Sequence, residues 1–271
     1  MGNLYSKIFI TGASSGIGRQ LALDYAREGA ELWLLARSEL KLAELSREIQ
    51  TLGGQAHILV CDATDEPSFL TALATAQEES TGFDLVIANA GWGGRMQYPG
   101  DKNIEVLNQV IDLNFRAATQ TLEYYAKFMV MAKQGHLVGV SSIAGFRGAP
   151  GGAAYSATKA ALISYLESLR FSVSPFGVFV TDIRPGFVRT PMTAKNVVPM
   201  PFLMDVERAS QKIRRAISRK RKRFAFPWQM AVLLHLIKAA PDFLYDWVAA
   251  LTFGKEAVTG RLGKSDSNTP T

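Results

Sequence analysis

The stretch Lys7-Ile8-Phe9-Ile10-Thr11 runs straight into Gly12-Ala13-Ser14-Ser15-Gly16-Ile17-Gly18. The first five residues form a short apolar run, as a buried strand requires. Ile17, Leu21 and Tyr25 then recur every four residues, the period of a helix, and Gly29 lies just beyond it. Glycines in such a strand–turn–helix let the backbone bend sharply and approach a phosphate closely. The helix start then offers free N–H groups and a positive dipole end to that phosphate. The spacing is G-xxx-G-x-G, not the commoner G-x-G-x-x-G. Taken alone, the cluster fits a plain tight turn equally well.

Working outward, the alternation continues. Glu31–Ala36, Ala56–Cys61, Asp84–Asn89, His136–Ser141 and Val178–Ile183 read as further buried strands, rich in Ile, Val and Leu. Between them, Leu42, Leu45, Ile49 and Leu52 mark a helix stopped by Gly53. Asp65 with Pro67 opens another, and Asn103 to Met131 and Ala153 to Ser174 predict longer ones. Strands alternating with helices predict an α/β fold, a doubly wound parallel sheet with helices on both faces. No linker or repeat interrupts it. The chain, residues 1–271, therefore reads as one domain. Its core runs from about 5 to 193, a lid and helical C-terminal region from about 194 to 262, and a disordered tail over 263–271.

Composition narrows the function. Of 271 residues, 48% are apolar and 20% charged, which excludes a disordered chain. The lone Cys61 cannot form an internal disulfide and fits a reducing, cytoplasmic setting. No apolar run reaches the roughly eighteen residues of a transmembrane helix. Met1-Gly2-Asn3-Leu4-Tyr5-Ser6 matches the loose myristoylation pattern, set against a strand that begins at Tyr5 or Ser6. The net charge of +6 is local: seven cations and no acid lie between Arg214 and Arg223. One basic segment without interleaved aromatics is not the broad face of a nucleic-acid-binding domain.

The turn is followed by Asn89-Ala90-Gly91, Asn114, Ser141-Ser142, Tyr155-Ser156-Ala157-Thr158-Lys159 and Pro185-Gly186-Phe187-Val188-Arg189-Thr190. In type, order and spacing, from Lys7 to Thr193, this resembles the short-chain dehydrogenase/reductase family. The resemblance implies a Rossmann sheet of about seven strands, a nicotinamide cofactor and carbonyl/alcohol chemistry. Each motif also answers a physical need, although a Y-xxx-K pair standing alone reads as a packed tyrosine beside a solvated lysine. Tyr155 and Lys159 are four apart on one helix face. A nearby ammonium favours the phenolate, so Tyr155 can exchange a proton with a carbonyl oxygen near neutral pH. Ser142 follows a buried strand, where parallel sheets place ligands, and its hydroxyl can polarise the carbonyl. Ser141 is the alternative, one position too early by the resemblance. Asn114 matches the family asparagine that holds a water behind the lysine. His57, His136 and His235 are scattered singly, so no metal site is expected.

The resemblance puts Gly12, Ser14, Ser15, Gly16, Ile17 and Gly18 around the cofactor phosphates and Asp62 against adenine. It puts Asn89, Ala90, Gly91, Pro185 and Gly186 along the cofactor, Val188 at the carboxamide, Thr190 at the phosphates, and Tyr155 with Lys159 at the nicotinamide ribose. Strand two ends Ala36-Arg37-Ser38. An acid at Ala36 would select NAD; its absence, with an arginine fork next to it, points to the 2′-phosphate of NADP(H). Against this, the second basic residue of many NADP-type members is replaced by Ser15. An ordinary surface arginine is the competing reading of Arg37.

The lid carries Met192, Met200, Phe202 and Met204, which suit an apolar carbonyl or alcohol substrate. Trp92 adds a candidate aromatic wall. Thr259-Gly260-Arg261 stands where many members have a D-G-G turn, which points to a homodimer rather than the usual tetramer. Arg219-Lys220-Arg221-Lys222-Arg223 precedes the apolar, Trp-bearing segment from Phe224 to Phe253. Two readings stand: peripheral association with an anionic membrane surface through 219–253, or a last strand at Arg223–Phe226 with helices covering the pocket. A non-catalytic NADP-binding sensor is the alternative to an enzyme, and the retained Tyr155 and Lys159 speak against it.

Overall fold

The computed structural model describes residues 4–94, 96, 102–194, 196 and 200–253. Seven strands form one sheet, β1 (Lys7–Thr11), β2 (Glu31–Ala36), β3 (Gln55–Val60), β4 (Leu85–Ala88), β5 (Gly135–Val140), β6 (Val178–Pro185) and β7 (Arg223–Phe226). Their order is β3-β2-β1-β4-β5-β6-β7 and every pairing is parallel. Strand order reverses between β1 and β4, so a crevice opens at their carboxyl ends.

Alternation along each strand builds two cores. Ile8, Ile10, Leu32 and Leu34 face one way, toward α1 (Gly16–Arg27), α2 (Glu39–Thr51) and α7 (Val206–Ser218). Phe9, Trp33 and Leu35 face the other way, toward α3 (Glu66–Ser80), α5 (Ala117–Ala132) and α6 (Ala153–Val173). Both faces are covered, so the strands are near-continuous apolar runs.

Local departures from the sequence reading have local causes. β4 stops at Ala88, because Asn89 turns to hold Thr11 and Gly12. β6 runs two residues past Ile183, because β7 supplies partners: Arg184 lies opposite Ala225 and Pro185 opposite Phe226. The helix expected over Asn103 to Met131 is interrupted. α4 (Asn103–Ile111) meets α5 through a π-helical turn at Asp112–Arg116, centred on Asn114. Such turns insert an extra residue and tend to mark functional sites.

The last two helices are α8 (Trp228–Ala239) and α9 (Asp242–Phe253). Arg147 docks both. Its Nη1 donates to the carbonyls of Ile237 (2.8 Å) and Ala240 (2.9 Å), its Nη2 pairs with Asp242, and its guanidinium lies 4.2 Å from the Tyr245 ring centre. Pro227, just ahead of α8, packs beside Gly186. Both ends of α8 thus stay at the carboxyl edge of the sheet. Among the described residues, no helix is long and apolar enough to cross a membrane. Met1 to Asn3, Thr259 to Arg261 and the tail 263–271 lie outside the described residues.

Candidate active site

The glycine turn is shaped by what stands against it. Gly12 has φ +67°, and a Cβ there would lie 2.8 Å from Ala90 Cα. A Cβ on Gly18 would lie 2.5 Å from both Asn89 Nδ2 and the Gly12 carbonyl oxygen. Larger residues do not fit either place. Asn89 Nδ2 donates to the carbonyls of Thr11 (3.0 Å) and Gly12 (3.2 Å), while Thr11 Oγ1 accepts from the backbone of Asn89 and Ala90. Ser15 heads α1 with its side chain making no cap, and Ser14 and Ile17 are half-buried beside it. The Thr190 methyl is 3.0 Å from where a Gly16 Cβ would be, so the segment after β6 folds back over the turn. On that segment Gly186 N–H donates to Phe226 (2.7 Å), and buried Val188 is bridged to Met204.

At the ends of β2 and β3, the largely exposed Arg37 stands 3.5 Å from Asp62 Oδ2. Burial works against ionising Asp62. Two bonds from Thr64 and the Arg37 charge outweigh it and hold the carboxyl below its usual range.

The structure brings Ser142, Tyr155, Lys159 and Asn114 to one place. Ser142 Oγ accepts from Ala144 N–H (3.1 Å), lies 3.3 Å from the Pro185 carbonyl and reaches the Tyr155 phenol. Lys159 Nζ donates to the Val140 carbonyl (2.8 Å) and sits 5.8 Å from the Tyr155 ring centre. A Cβ on Gly91 would lie 3.2 Å from Asn114 Oδ1 and 3.5 Å from Lys159 Nζ, so asparagine and lysine meet behind that glycine. Asn114 clamps the backbone of Trp92, accepting its N–H (2.7 Å) and donating to its carbonyl (2.9 Å). Ser141 points elsewhere: its hydroxyl donates to Asp182 Oδ1 (2.5 Å) and the Ile183 carbonyl (3.1 Å).

The electrostatics differ from the simple expectation that Lys159 draws Tyr155 down. Burial holds the Tyr155 phenol above its usual value, and the Ser142 bond pulls the other way. Burial also pushes Lys159 down to about 8, with Asp182 opposing it. Dehydration thus weakens the very ammonium that is to tune the phenol.

Asp182 is a residue that the sequence reading missed. With Arg184 it forms a buried ion pair, Nε to Oδ2 at 2.6 Å. The signal was present: two opposite charges, two apart, inside an apolar strand. Of the histidines, His57 pairs with Glu31 and stacks on Trp33, and His136 is buried between Tyr5 and Thr181. The His235 side chain lies outside the described residues. Among the described residues no group of His, Cys, Asp and Glu could hold a metal.

A model of the short chain dehydrogenase family matches residues 6–199. An uncharacterized oxidoreductase of Myxococcus xanthus (strain DK1622) is 42% identical over 248 residues, 90% of this chain and 96% of that protein. A cyclopentanol dehydrogenase of Comamonas testosteroni is 33% identical over 194 residues, 71% of this chain and 77% of that protein. A short-chain dehydrogenase from Sphingobium yanoikuyae, solved in complex with NADPH, has the same fold, with TM-score 0.76 and 24% identity over 97% of this chain and 98% of that one. The glycine turn, the Ser142, Tyr155 and Lys159 group and the seven-stranded sheet thus have one common explanation: the chain belongs to the short chain dehydrogenase family, oxidoreductases that use a nicotinamide cofactor.

Proposed function

We propose that the protein is an NADP(H)-dependent carbonyl reductase or alcohol dehydrogenase acting on an apolar substrate, with Tyr155 as general acid/base. The observation that carries this is the convergence of Ser142, Tyr155 and Lys159 at the carboxyl end of β5. When bound, the cofactor supplies or takes the hydride. Ser142 holds and polarises the substrate oxygen. Tyr155 moves the proton at that oxygen. Lys159 stabilises the phenolate and binds ribose, and Asn114 supports the proton path behind it. The turn fits a pyrophosphate: the space at Gly12 and Gly18 admits no side chain, and α1 begins there. The remaining cofactor contacts are those expected from Ser14 to Thr190. Ala36 and Arg37 support the choice of NADP(H), and a named cyclopentanol dehydrogenase among the relatives supports alcohol chemistry.

Tyr155→Phe abolishes turnover while NADPH affinity stays within a few-fold, read by NADPH absorbance against a panel of apolar ketones and by calorimetry. Wild-type turnover in that variant overturns the assignment. Ala36→Asp with Arg37→Ser reverses the cofactor preference; equal wild-type affinities for NADPH and NADH sink the 2′-phosphate site.

A second reading concerns α8 and α9. Trp228, Val232 and Leu236 on α8, and Phe243, Trp247 and Leu251 on α9, recur every four residues and are exposed. They support peripheral contact with a lipid surface, while the exposed cations of 219–223 lie toward the amino end of β7, away from the start of α8. Sedimentation with anionic and neutral vesicles, at low and high salt, tests it. A dimer working as one Rossmann unit per chain is the assembly proposed, checked by light scattering.

A further inference from the structure

Behind the site, three charges are buried in one seam between β5, β6 and α6. Val178 and Val180 of β6 pack against Leu162 and Leu166 of α6, so Asp182 and Arg184, at the same alternation, face α6 too. Asp182 Oδ1 accepts from Ser141 Oγ (2.5 Å) and Oδ2 from Arg184 Nε (2.6 Å). Ser141 shares its hydroxyl with the Ile183 carbonyl and gives its backbone N–H to the same oxygen. The carboxylate therefore ties the end of β5 to β6 one residue before Ser142. On the same seam, Lys159 Nζ is bound to the Val140 carbonyl, two residues before Ser142.

We propose that Asp182 is a positioning residue for the catalytic group: its carboxylate, locked between Ser141 and Arg184, fixes the strand end that carries Ser142 and supplies the counter-charge that keeps Lys159 an ammonium.

The physical need is specific. Burying an ammonium costs several kcal/mol unless a negative charge shares its surroundings. Lys159 is 3% exposed, and its bonded partner, the Val140 carbonyl, is neutral. The groups that face it are the Tyr155 phenol from α6, the Asn114 amide from the π-helical turn, and Asp182 with its partner Arg184 from β6. Of these only Asp182 brings negative charge while Tyr155 is protonated. Burial lowers Lys159 and the Asp182 charge raises it, while burial raises Asp182 and Arg184, Ser141 and Lys159 lower it. Arg184 holds the carboxylate ionised and in place, and its guanidinium is 5.3 Å from the Phe146 ring centre.

The test reads Lys159 directly, without turnover. In protein labelled with 13C at lysine Cε, the Lys159 resonance is identified by its loss in Lys159→Ala and followed against pH. In the wild type its midpoint lies near the lowered value of about 8. In Asp182→Asn the midpoint falls by about one pH unit, and Asp182→Glu restores it. An alkaline limb of ketone reduction that moves to lower pH in the same variant is the matching kinetic signature. Asp182→Asn leaves Arg184 uncompensated, so the double variant Asp182→Asn with Arg184→Met removes both charges together; its midpoint also falls, by less, because the repulsion of Lys159 by Arg184 goes with it. An unmoved Lys159 midpoint in either variant overturns the proposal. The inference rests on Tyr155 and Lys159 being the catalytic pair. Wild-type turnover in Tyr155→Phe removes that reading, whereas an unmoved midpoint beside an inactive Tyr155→Phe removes only the role of Asp182.

Discussion

Two regions of the molecule break the usual rule of apolar inside and charged outside, in opposite directions. In the seam of β5, β6 and α6, Lys159, Asp182 and Arg184 are 3%, 4% and 6% exposed. In α8 and α9, Trp228, Phe243 and Trp247 are 69%, 76% and 61% exposed. The seam accepts a large desolvation cost and offsets it with Ser141, the Val140 carbonyl and its own ion pair. The helices leave apolar area in water and forgo roughly 25 cal/mol for each Å² not buried. Fold stability alone explains neither arrangement. The seam's costs are balanced within one chain, so its purpose lies in the chain's own chemistry. The helical surface has no such balance among the described residues.

The comparison is sharpest if the seam is broken. Asp182→Leu removes one partner of a buried pair and leaves Arg184 uncompensated. It costs about 3–5 kcal/mol in urea unfolding. A loss below about 1 kcal/mol, the worth of an exposed ion pair, would show that water reaches the seam and that its burial is not what matters.

The contrast between the regions also governs what the sequence reveals. β1, β2 and β6 were legible because strands covered on both faces are runs of apolar residues, with Gly29 and Gly177 near their starts. Tyr155, Lys159 and Ser142 were legible because spacing along one helix and a position after one strand already set their meeting. Asp182 shows only a local sign, its opposite charge two residues from Arg184, because its partner Ser141 follows another strand, 41 residues away. The interruption at Asn114 was hidden for a similar reason. Apolar residues run through α4 and α5 as in one helix, and only the demand of the Trp92 backbone shows why the turn widens. α8 and α9 carried a clear helical pattern, yet apolar residues all round do not say which face a neighbour covers.

The opposite face of the same two strands gives the next prediction. His136 on β5 is 1% exposed. Thr181 Oγ1 donates to the Arg221 carbonyl (2.6 Å), so it accepts from His136 Nε2–H (2.8 Å), and Nδ1 accepts from the Tyr5 hydroxyl (2.7 Å). Burial, with Lys220 nearby, pushes His136 down to about 3 from 6.5. Between those values the unfolded chain binds a proton that the folded one refuses. Stability is therefore fully present above pH 6.5 and is lost as pH falls toward 3, by a few kcal/mol. Urea midpoints from pH 7 to pH 4 show the slope. His136→Gln keeps an acceptor and a donor and flattens it. An equally steep slope in that variant assigns the acid sensitivity to other groups.

The smallest expected effect belongs to the exposed helices. Leu236 and Trp247 stand 67% and 61% exposed, each in the middle or at the end of a stripe on its own helix. Replacing such a residue by glutamine removes little buried area, so Leu236→Gln with Trp247→Gln shifts the unfolding free energy by no more than about 0.5 kcal/mol. The half-buried anchor that holds the same helices behaves differently. Arg147→Ala strips the Ile237 and Ala240 carbonyls of their partner and breaks the Asp242 pair, and it destabilises by about 1–3 kcal/mol. If the glutamine pair instead costs as much as Arg147→Ala, the two stripes are packed in solution and the contrast between seam and helical surface fails. If stability is unchanged while sedimentation with anionic vesicles drops several-fold, the stripes have an external partner and that partner is lipid. If vesicle binding is unchanged and light scattering shows the dimer dissociating, the partner is a second copy of the chain.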